Sequence, residues 1–575
     1  MTSETNLQPG RTKERKPLRL LPGIIIVLVQ WLIRLGLPAL LPGDMPVMIA
    51  VFTGVLGGLA VAVWWIFFSR ASGIERWGAI PLIIISLLVA SRFLDASIAT
   101  ANMGMMFTFF SIPVMSLAFV LWAATTRNLS DKLRRITMII TILAASGGWT
   151  LLRTEGMSSR LHFDFAWRWS RTYEEQFLTG ADSEKMSLPV EEEKSVVWPG
   201  FRGPDRDGIV HGVRISTDWK ATPPVELWRR PVGPGCSSFA VSGDLLFTQE
   251  QRGDREAVTC YSLNTGKPVW IHTDSARFWD SHAGAGPRAT PTLSNGRVYT
   301  MGATGILDVL NADDGSLVWS RNSAADTHTR DSGWGFTGSP LIFGDLVIAA
   351  ATGRMVAYDI NTGEPRWSGP DGGQGYSSPQ LLSSSGVDQI VLMSDFGAIS
   401  LAPGDGSVLW KYPWQIDGRI LQPSFTAGGD ILVSGGLQHG IRSISVTHES
   451  NGWNVKDRWT STGIKAYFND IIVLKDHIYG FDGLSLACIS VADGRRSWRG
   501  GRYGGQLILL SDQDLLLVLT EKGEVVLINA TPEKFTELGR FPAITGKTWN
   551  HPVLVGNILV VRNAREMAAF RLPPA

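Results

Sequence analysis

Two hydropathy regimes divide the chain. Before residue 155, apolar residues run on without alternation in five stretches: 20–41, 46–68, 79–96, 105–125 and 136–152. Each matches the roughly 17–25 residues that an α-helix needs to cross a bilayer. After residue 195 the rhythm changes to short alternating strands separated by Gly/Asp/Asn turns, such as "AVTCYSL", "ILDVLNA", "MVAYDI" and "AISLAP". Alternation with a period of two predicts half-buried β-strands. The pattern predicts an α-helical transmembrane bundle of about five helices followed by an all-β domain.

The β region repeats itself. "NTGKPVW" (264–270) and "NTGEPRW" (361–367) are nearly the same phrase, and "DDGSLVW" (313–319) and "GDGSVLW" (404–410) are looser copies. Tryptophans at 228, 270, 319, 367, 410, 459 and 498 are spaced by 42, 49, 48, 43, 49 and 39 residues. A period of 40–50 residues with four short strands per unit predicts a β-propeller. Each Trp then ends a blade's outer strand and wedges against the next blade. A seventh unit ends at "TELGRF" (536–541) without its Trp. An eighth, from "ITGKTWNHPVLVGNILVV", runs out of chain after three strands. "VELWRR" (225–230) is the available fourth strand, which closes an eight-bladed ring and removes its free edge.

Charge sets the expected topology. Arg11, Lys13, Arg15, Lys16 and Arg19 precede the first span, Arg70 and Arg76 follow the second, and Arg127, Lys132, Arg134 and Arg135 follow the fourth. Positive residues stay on the cytoplasmic side, so five crossings put the β domain on the extracytoplasmic face of a cytoplasmic membrane. The expected division is a basic cytoplasmic tail (1–19), an anchor (20–155), a juxtamembrane linker (156–197) and a propeller (198–575). The first span is expected to stay as an uncleaved anchor. Arg34 lies inside it, where a charge is costly; it either serves a function or reaches the outer interface. "FDFAWRWSRTYEEQFL" (163–178) suits either a membrane-surface segment or a helix on the outer domain, and "EEEK" (191–194) a solvated hinge. "GVLGG" (54–58) reads as close helix packing.

Composition narrows the chemistry. The formal net charge is +1 and the mean hydropathy +0.08, which argues for a membrane part and against a nucleic-acid partner. Cys236, Cys260 and Cys488 lack metal or c-haem spacing and read as small apolar side chains.

"MVAYDINTGEPRW" (355–367) resembles the pyrroloquinoline quinone (PQQ) propeller repeat. Membrane-bound quinoprotein glucose dehydrogenase is similar in plan, with five N-terminal spans and an outward propeller. "WPGFRGPDRDGI" (198–209), "GAGPRATPT" (284–292) and "GYSSPQLL" (375–382) look like phrases of the PQQ-like propellers related to the outer-membrane assembly lipoprotein BamB. The first branch implies a PQQ enzyme with Ca²⁺ that passes electrons to membrane quinone. The second implies a platform for protein or small-ligand partners, and is the favoured reading.

Aligning inner strands puts Cys236, Ser237, Arg288, Trp334, Tyr376, Gln422, Tyr467, Phe468, Tyr503, Trp549 and His551 around the channel mouth. Under the quinone reading, Arg288, Trp334, Tyr376 and Trp549 are the cofactor-binding candidates, and Asp331, Asp280 and His282 the acid–base candidates. No carboxylate–amide cluster for Ca²⁺ is legible, so no metal ligand is assigned. The vicinal Cys pair of many alcohol-oxidising members is absent.

Overall fold

In a computed structural model, the structure describes residues 18–41, 44–158, 163–181, 196–331, 333–384, 386–415, 419–450 and 452–575. The basic residues Arg11 to Lys16 and the "EEEK" hinge lie outside them. The chain forms two compact units, one to Ser170 and one from Arg171.

In the first unit, four helices are long and apolar enough to cross a membrane: Leu21–Leu40, Met45–Phe68, Gly73–Ser91 and Met106–Thr125. The fifth expected span is the helix Asp131–Gly147. It has 17 residues, and its first five include Asp131, Lys132, Arg134 and Arg135, so its apolar run is short. The glycines of "GVLGG" do pack helices together. A Cβ at Gly57 would lie 2.7 Å from Gln30, and one at Gly58 only 2.2 Å from Ile112. Gln30 donates to the Gly54 carbonyl at 2.6 Å. Arg34 donates to the Phe109 carbonyl at 3.2 Å and lies 4.6 Å above the Phe110 ring, so its charge is held inside the bundle.

"FDFAWRWSRTYEEQFL" splits between the units. Phe163–Trp167 pairs with Leu152–Met157 as a hairpin. Tyr173–Ala181 is a helix on the propeller: Glu174 accepts from Gly253 N–H and pairs with Arg277 at 2.9 Å.

The second unit is an eight-bladed β-propeller whose blades each have four antiparallel strands, two of them extended by a fifth. Val225–Pro231 completes blade 8 by pairing with Glu566–Arg571. Arg562, wholly buried, seals the seam to blade 1 by donating to the carbonyls of Gly233 (2.9 Å) and Gln249 (3.1 Å).

The repeated phrase is a wedge and its socket. Trp319 Nε1 donates to the Ile360 carbonyl of the next blade at 3.1 Å, and its ring lies over Gly363. Gly363 has φ +72°, and a Cβ there would meet the ring at 2.7 Å, so glycine is required twice over. Trp228, Trp270, Trp367 and Trp459 repeat the arrangement on Gly266, Gly315, Gly406 and Gly494. Trp410 departs from it. Blade 5 ends in a long hairpin (Ile441–Glu449 and Gly452–Ser461) that offers no such turn, so Trp410 donates to Gln389 Oε1 at 2.6 Å instead.

Blade 7 lacks its own Trp because another supplies it. Gly539 occupies the strand position of the missing residue, beside the same bulge, and a Cβ there would lie 3.2 Å from Trp219. Trp219 comes from the N-terminal segment, is 6% exposed and contacts Phe541 edge-on at 5.5 Å.

Candidate functional site

Before each of several inner strands runs a Ser/Thr-Pro or related step: Thr290-Pro291, Ser339-Pro340, Ser378-Pro379, Gln422-Pro423 and His551-Pro552. Proline presets the extended backbone, and the hydroxyls link neighbouring blades. Thr290 Oγ1 accepts from Ser238 N–H (3.1 Å), Ser339 Oγ from Thr290 N–H (3.0 Å) and Ser378 Oγ from Ser339 N–H (3.0 Å). This run of bonds ties the inner strands of blades 1 to 4 together.

One side of the ring is filled by residues 196–210. Val196–Trp198 joins blade 1 as a fifth strand. The segment then crosses the channel. Gly200 packs on Pro291 and Thr292 of blade 2, and Arg206 donates to the carbonyls of Ser339 (3.1 Å) and Pro340 (3.0 Å) in blade 3. Gln380 donates to the Asp205 carbonyl (3.3 Å) and Gln422 to that of Arg206. Arg202 donates to the Ile471 carbonyl (2.6 Å) and lies 3.6 Å from Asp470 in blade 6. Phe201 meets His551 edge-on at 5.0 Å, and Ile209–Val210 pairs parallel to blade 7. The segment touches every blade. Burial, then the neighbouring Arg202 charge, lowers the Arg206 guanidinium to about 10. Burial raises the Asp470 carboxyl, but the Arg202 charge and the His551 hydrogen bond outweigh it and hold it below the usual range. His551 and Gln422, expected at the mouth, face this plug instead.

The other side opens as an aromatic arc. Trp334 stacks on Tyr376 with centroids 4.9 Å apart and stands edge-on to Tyr467 at 6.3 Å. His282 meets Trp334 at 5.9 Å, and Phe468 meets Trp549 at 5.1 Å. All six rings are half-buried. Lys547, which the sequence reading overlooked, lies 4.0 Å above the Trp549 ring and donates to the His282 carbonyl at 2.7 Å. Burial lowers its pKa. Trp549 Nε1 donates to Glu521 at 2.8 Å.

The polar candidates are engaged with one another. Arg288 pairs with Asp280 and donates to the carbonyls of Gly284 and Gly286, both at 2.7 Å. The two side chains are 6% and 7% exposed. Burial raises the Asp280 carboxyl, but the His282 hydrogen bond, the Arg288 charge and two backbone N–H bonds bring it well below the ordinary carboxylate range. Asp331 caps its own loop, accepting from Gly333 (2.8 Å) and Gly335 (2.7 Å) N–H groups. Tyr503 lies away from the mouth, between blades 6 and 7, with its hydroxyl on Glu537. Cys260 and Cys488 are buried, and Cys236 is half-buried.

Residues 272–500 match the family model described as outer membrane protein assembly factor BamB. A lanthanide-dependent methanol dehydrogenase from Methylacidiphilum fumariolicum (strain SolV) is 31% identical over 137 residues, 22% of this chain and 20% of that protein. The outer membrane protein assembly factor BamB of Shewanella oneidensis is 26% identical over 151 residues, 24% of this chain and 35% of that protein. The chain thus spans about a third or less of the curated relatives it matches. Among solved structures, BamB from Moraxella catarrhalis aligns over 61% of this chain and all of its own, with 15% identity and a TM-score of 0.44. The propeller carries the PQQ-like repeat and is BamB-like.

Proposed function

We propose that this protein is a non-enzymatic binding platform: an anchor of apolar helices in the cytoplasmic membrane carrying a propeller on the extracytoplasmic side, whose aromatic mouth takes a segment of a partner protein. The observation that carries this reading is the contrast at the mouth. Arg288 and Asp280 satisfy each other below the surface, while Trp334, Tyr376, Tyr467 and Trp549 stay half-buried around the mouth, with Lys547 over the Trp549 ring. Partly exposed aromatic rings attract cationic and aromatic side chains, and rigid aromatic anchors dominate protein interfaces.

The same contrast fits PQQ with Ca²⁺ poorly. The quinone carboxylates need free cationic donors, and the terminal nitrogens of Arg288 donate to Asp280 and three carbonyls. Ca²⁺ takes 6–8 oxygens, whereas Asp280 and Asp331 already accept backbone N–H groups. The 31% identity to a stretch of a methanol dehydrogenase favours a second reading, a quinone-linked dehydrogenase.

The platform reading is tested by screening arrayed peptides against the purified full chain. Binding should favour Arg- and aromatic-containing peptides and weaken at least about tenfold, roughly 1.4 kcal/mol, in Trp334→Ala and Tyr467→Ala. Binding indifferent to both substitutions would refute it.

A further inference from the structure

Between blades 1 and 2 lies a group that no role above uses. His272 and Asp274 sit two apart on the strand Pro268–Asp274, and so project to one face. Asp308 sits on the strand Ile306–Asn311 of the neighbouring blade. His272 Nε2 is 3.7 Å from Asp274 Oδ1 and 3.7 Å from Asp308 Oδ2. One donor atom from each residue lies within 4.8 Å of the others.

Three observations point to a missing cation. The Asp308 side chain is only 3% exposed, and its Oδ1, like His272 Nε2, is buried without a hydrogen-bond partner among the described residues. Burying a carboxylate costs several kcal/mol unless a positive group compensates it. Among the described residues neither Asp274 nor Asp308 pairs with a Lys or Arg, and the basic group beside them is His272 itself, 3.7 Å from each. A third acid, Glu256, stands opposite Asp274 in the adjacent strand and is 4% exposed; its Oε1 accepts from Ala303 N–H at 3.2 Å. A half-buried imidazole whose Nε2 is buried and unbonded, with carboxylates on two blades, is a donor set suited to a metal.

We infer that His272, Asp274 and Asp308 bind one divalent first-row transition ion of the zinc class, which clamps blade 1 to blade 2. The donors set the class. Imidazole nitrogen with carboxylate oxygen suits zinc and its neighbours, while Ca²⁺ and Mg²⁺ favour all-oxygen shells. Bonds of about 2.0–2.2 Å from a tetrahedral ion separate its ligand atoms by roughly 3.3–3.6 Å. The two 3.7 Å separations need close only by tenths of an ångström. His272 and Asp274 keep 18% and 26% of their side-chain surface, which gives an ion a way in.

The test uses the purified full chain, treated with chelator and titrated with Zn²⁺ by calorimetry. One tight equivalent is expected, with Ca²⁺ and Mg²⁺ failing to compete. Removing even an outer partner of a metal ligand costs 10–100-fold in affinity, so Asp308→Asn and His272→Gln should each weaken the tight site by at least about 100-fold. Co²⁺ in the same site should give visible bands that shift in His272→Gln, a readout that serves even where Asp308→Asn fails to fold. Absence of a tight equivalent, or Zn²⁺ binding and Co²⁺ bands unchanged in His272→Gln, would overturn the site.

Discussion

Trp219 and Trp270 do the same mechanical work with different hydrogen bonding, and this difference is measurable. Trp270 is 5% exposed and its Nε1 donates to the Ala312 carbonyl at 2.9 Å. Trp219 is 6% exposed, but its buried Nε1–H has no partner among the described residues. Truncating either to Ala removes roughly 150–250 Å² of buried surface. At about 25 cal/mol/Å² that is roughly 4–6 kcal/mol, consistent with the 3–5 kcal/mol typical of Trp→Ala in a core. Replacement by Phe separates the two. Trp270→Phe leaves the Ala312 carbonyl unpaired, adding about 1–3 kcal/mol to the packing loss. Trp219→Phe deletes a donor that is already unpaired, which offsets most of its packing loss, so its net cost should stay near 1 kcal/mol or less. Urea unfolding of the purified full chain, followed by tryptophan fluorescence, gives the comparison. Equal cost for the two Phe variants would refute the assignment of Trp219 as the unbonded substitute wedge of blade 7.

Three further outcomes follow from the plug, the buried acids and the charge pattern. Arg202→Met leaves Asp470, 4% exposed, without its guanidinium and should cost about 3–5 kcal/mol, read from the same urea transitions; a neutral result would mean that the plug does not brace the channel. Asp280 and Asp470 have folded pKa values below their unfolded ones, so the native state holds fewer protons in that range. Their stabilisation is complete above about pH 4 and is lost as pH falls through the folded values; melting temperature should drop on acidification below about pH 4, with a smaller drop in Asp280→Asn. A reporter active only outside the cytoplasm should work when fused after Ala575 and fail at Asn128; the reverse would invalidate the orientation drawn from the Lys/Arg asymmetry.

Much of the propeller was legible because its physics is periodic. Each blade needs the same Gly turn to seat its neighbour's Trp, so the phrase recurs, and the strand deficit at the C-terminus pointed to "VELWRR". What lay outside the period was harder to see. "GFRGPDRDG" reads as a polar loop, and only the fold shows its arginines capping carbonyls across the channel. Trp219 is invisible as a wedge because it fills a gap in a blade some 320 residues later in the chain. At the mouth, the aromatic residues Trp334, Tyr376, Tyr467 and Trp549 do gather as the strand alignment predicts. Arg288 is turned to Asp280, since a pairing eight residues apart within a loop leaves no trace in residue spacing. His272 and Asp308 meet only through blade-to-blade packing, and neither belongs to a metal motif in the sequence.

The reading of the mouth as a platform is tested most directly by giving the purified full chain PQQ and Ca²⁺ and following dye-linked oxidation of glucose and simple alcohols. Because Arg288 and Asp280 neutralise each other, no turnover above the cofactor-free background is expected. Sustained turnover that Arg288→Ala or Asp331→Asn abolishes would contradict the platform and establish the dehydrogenase.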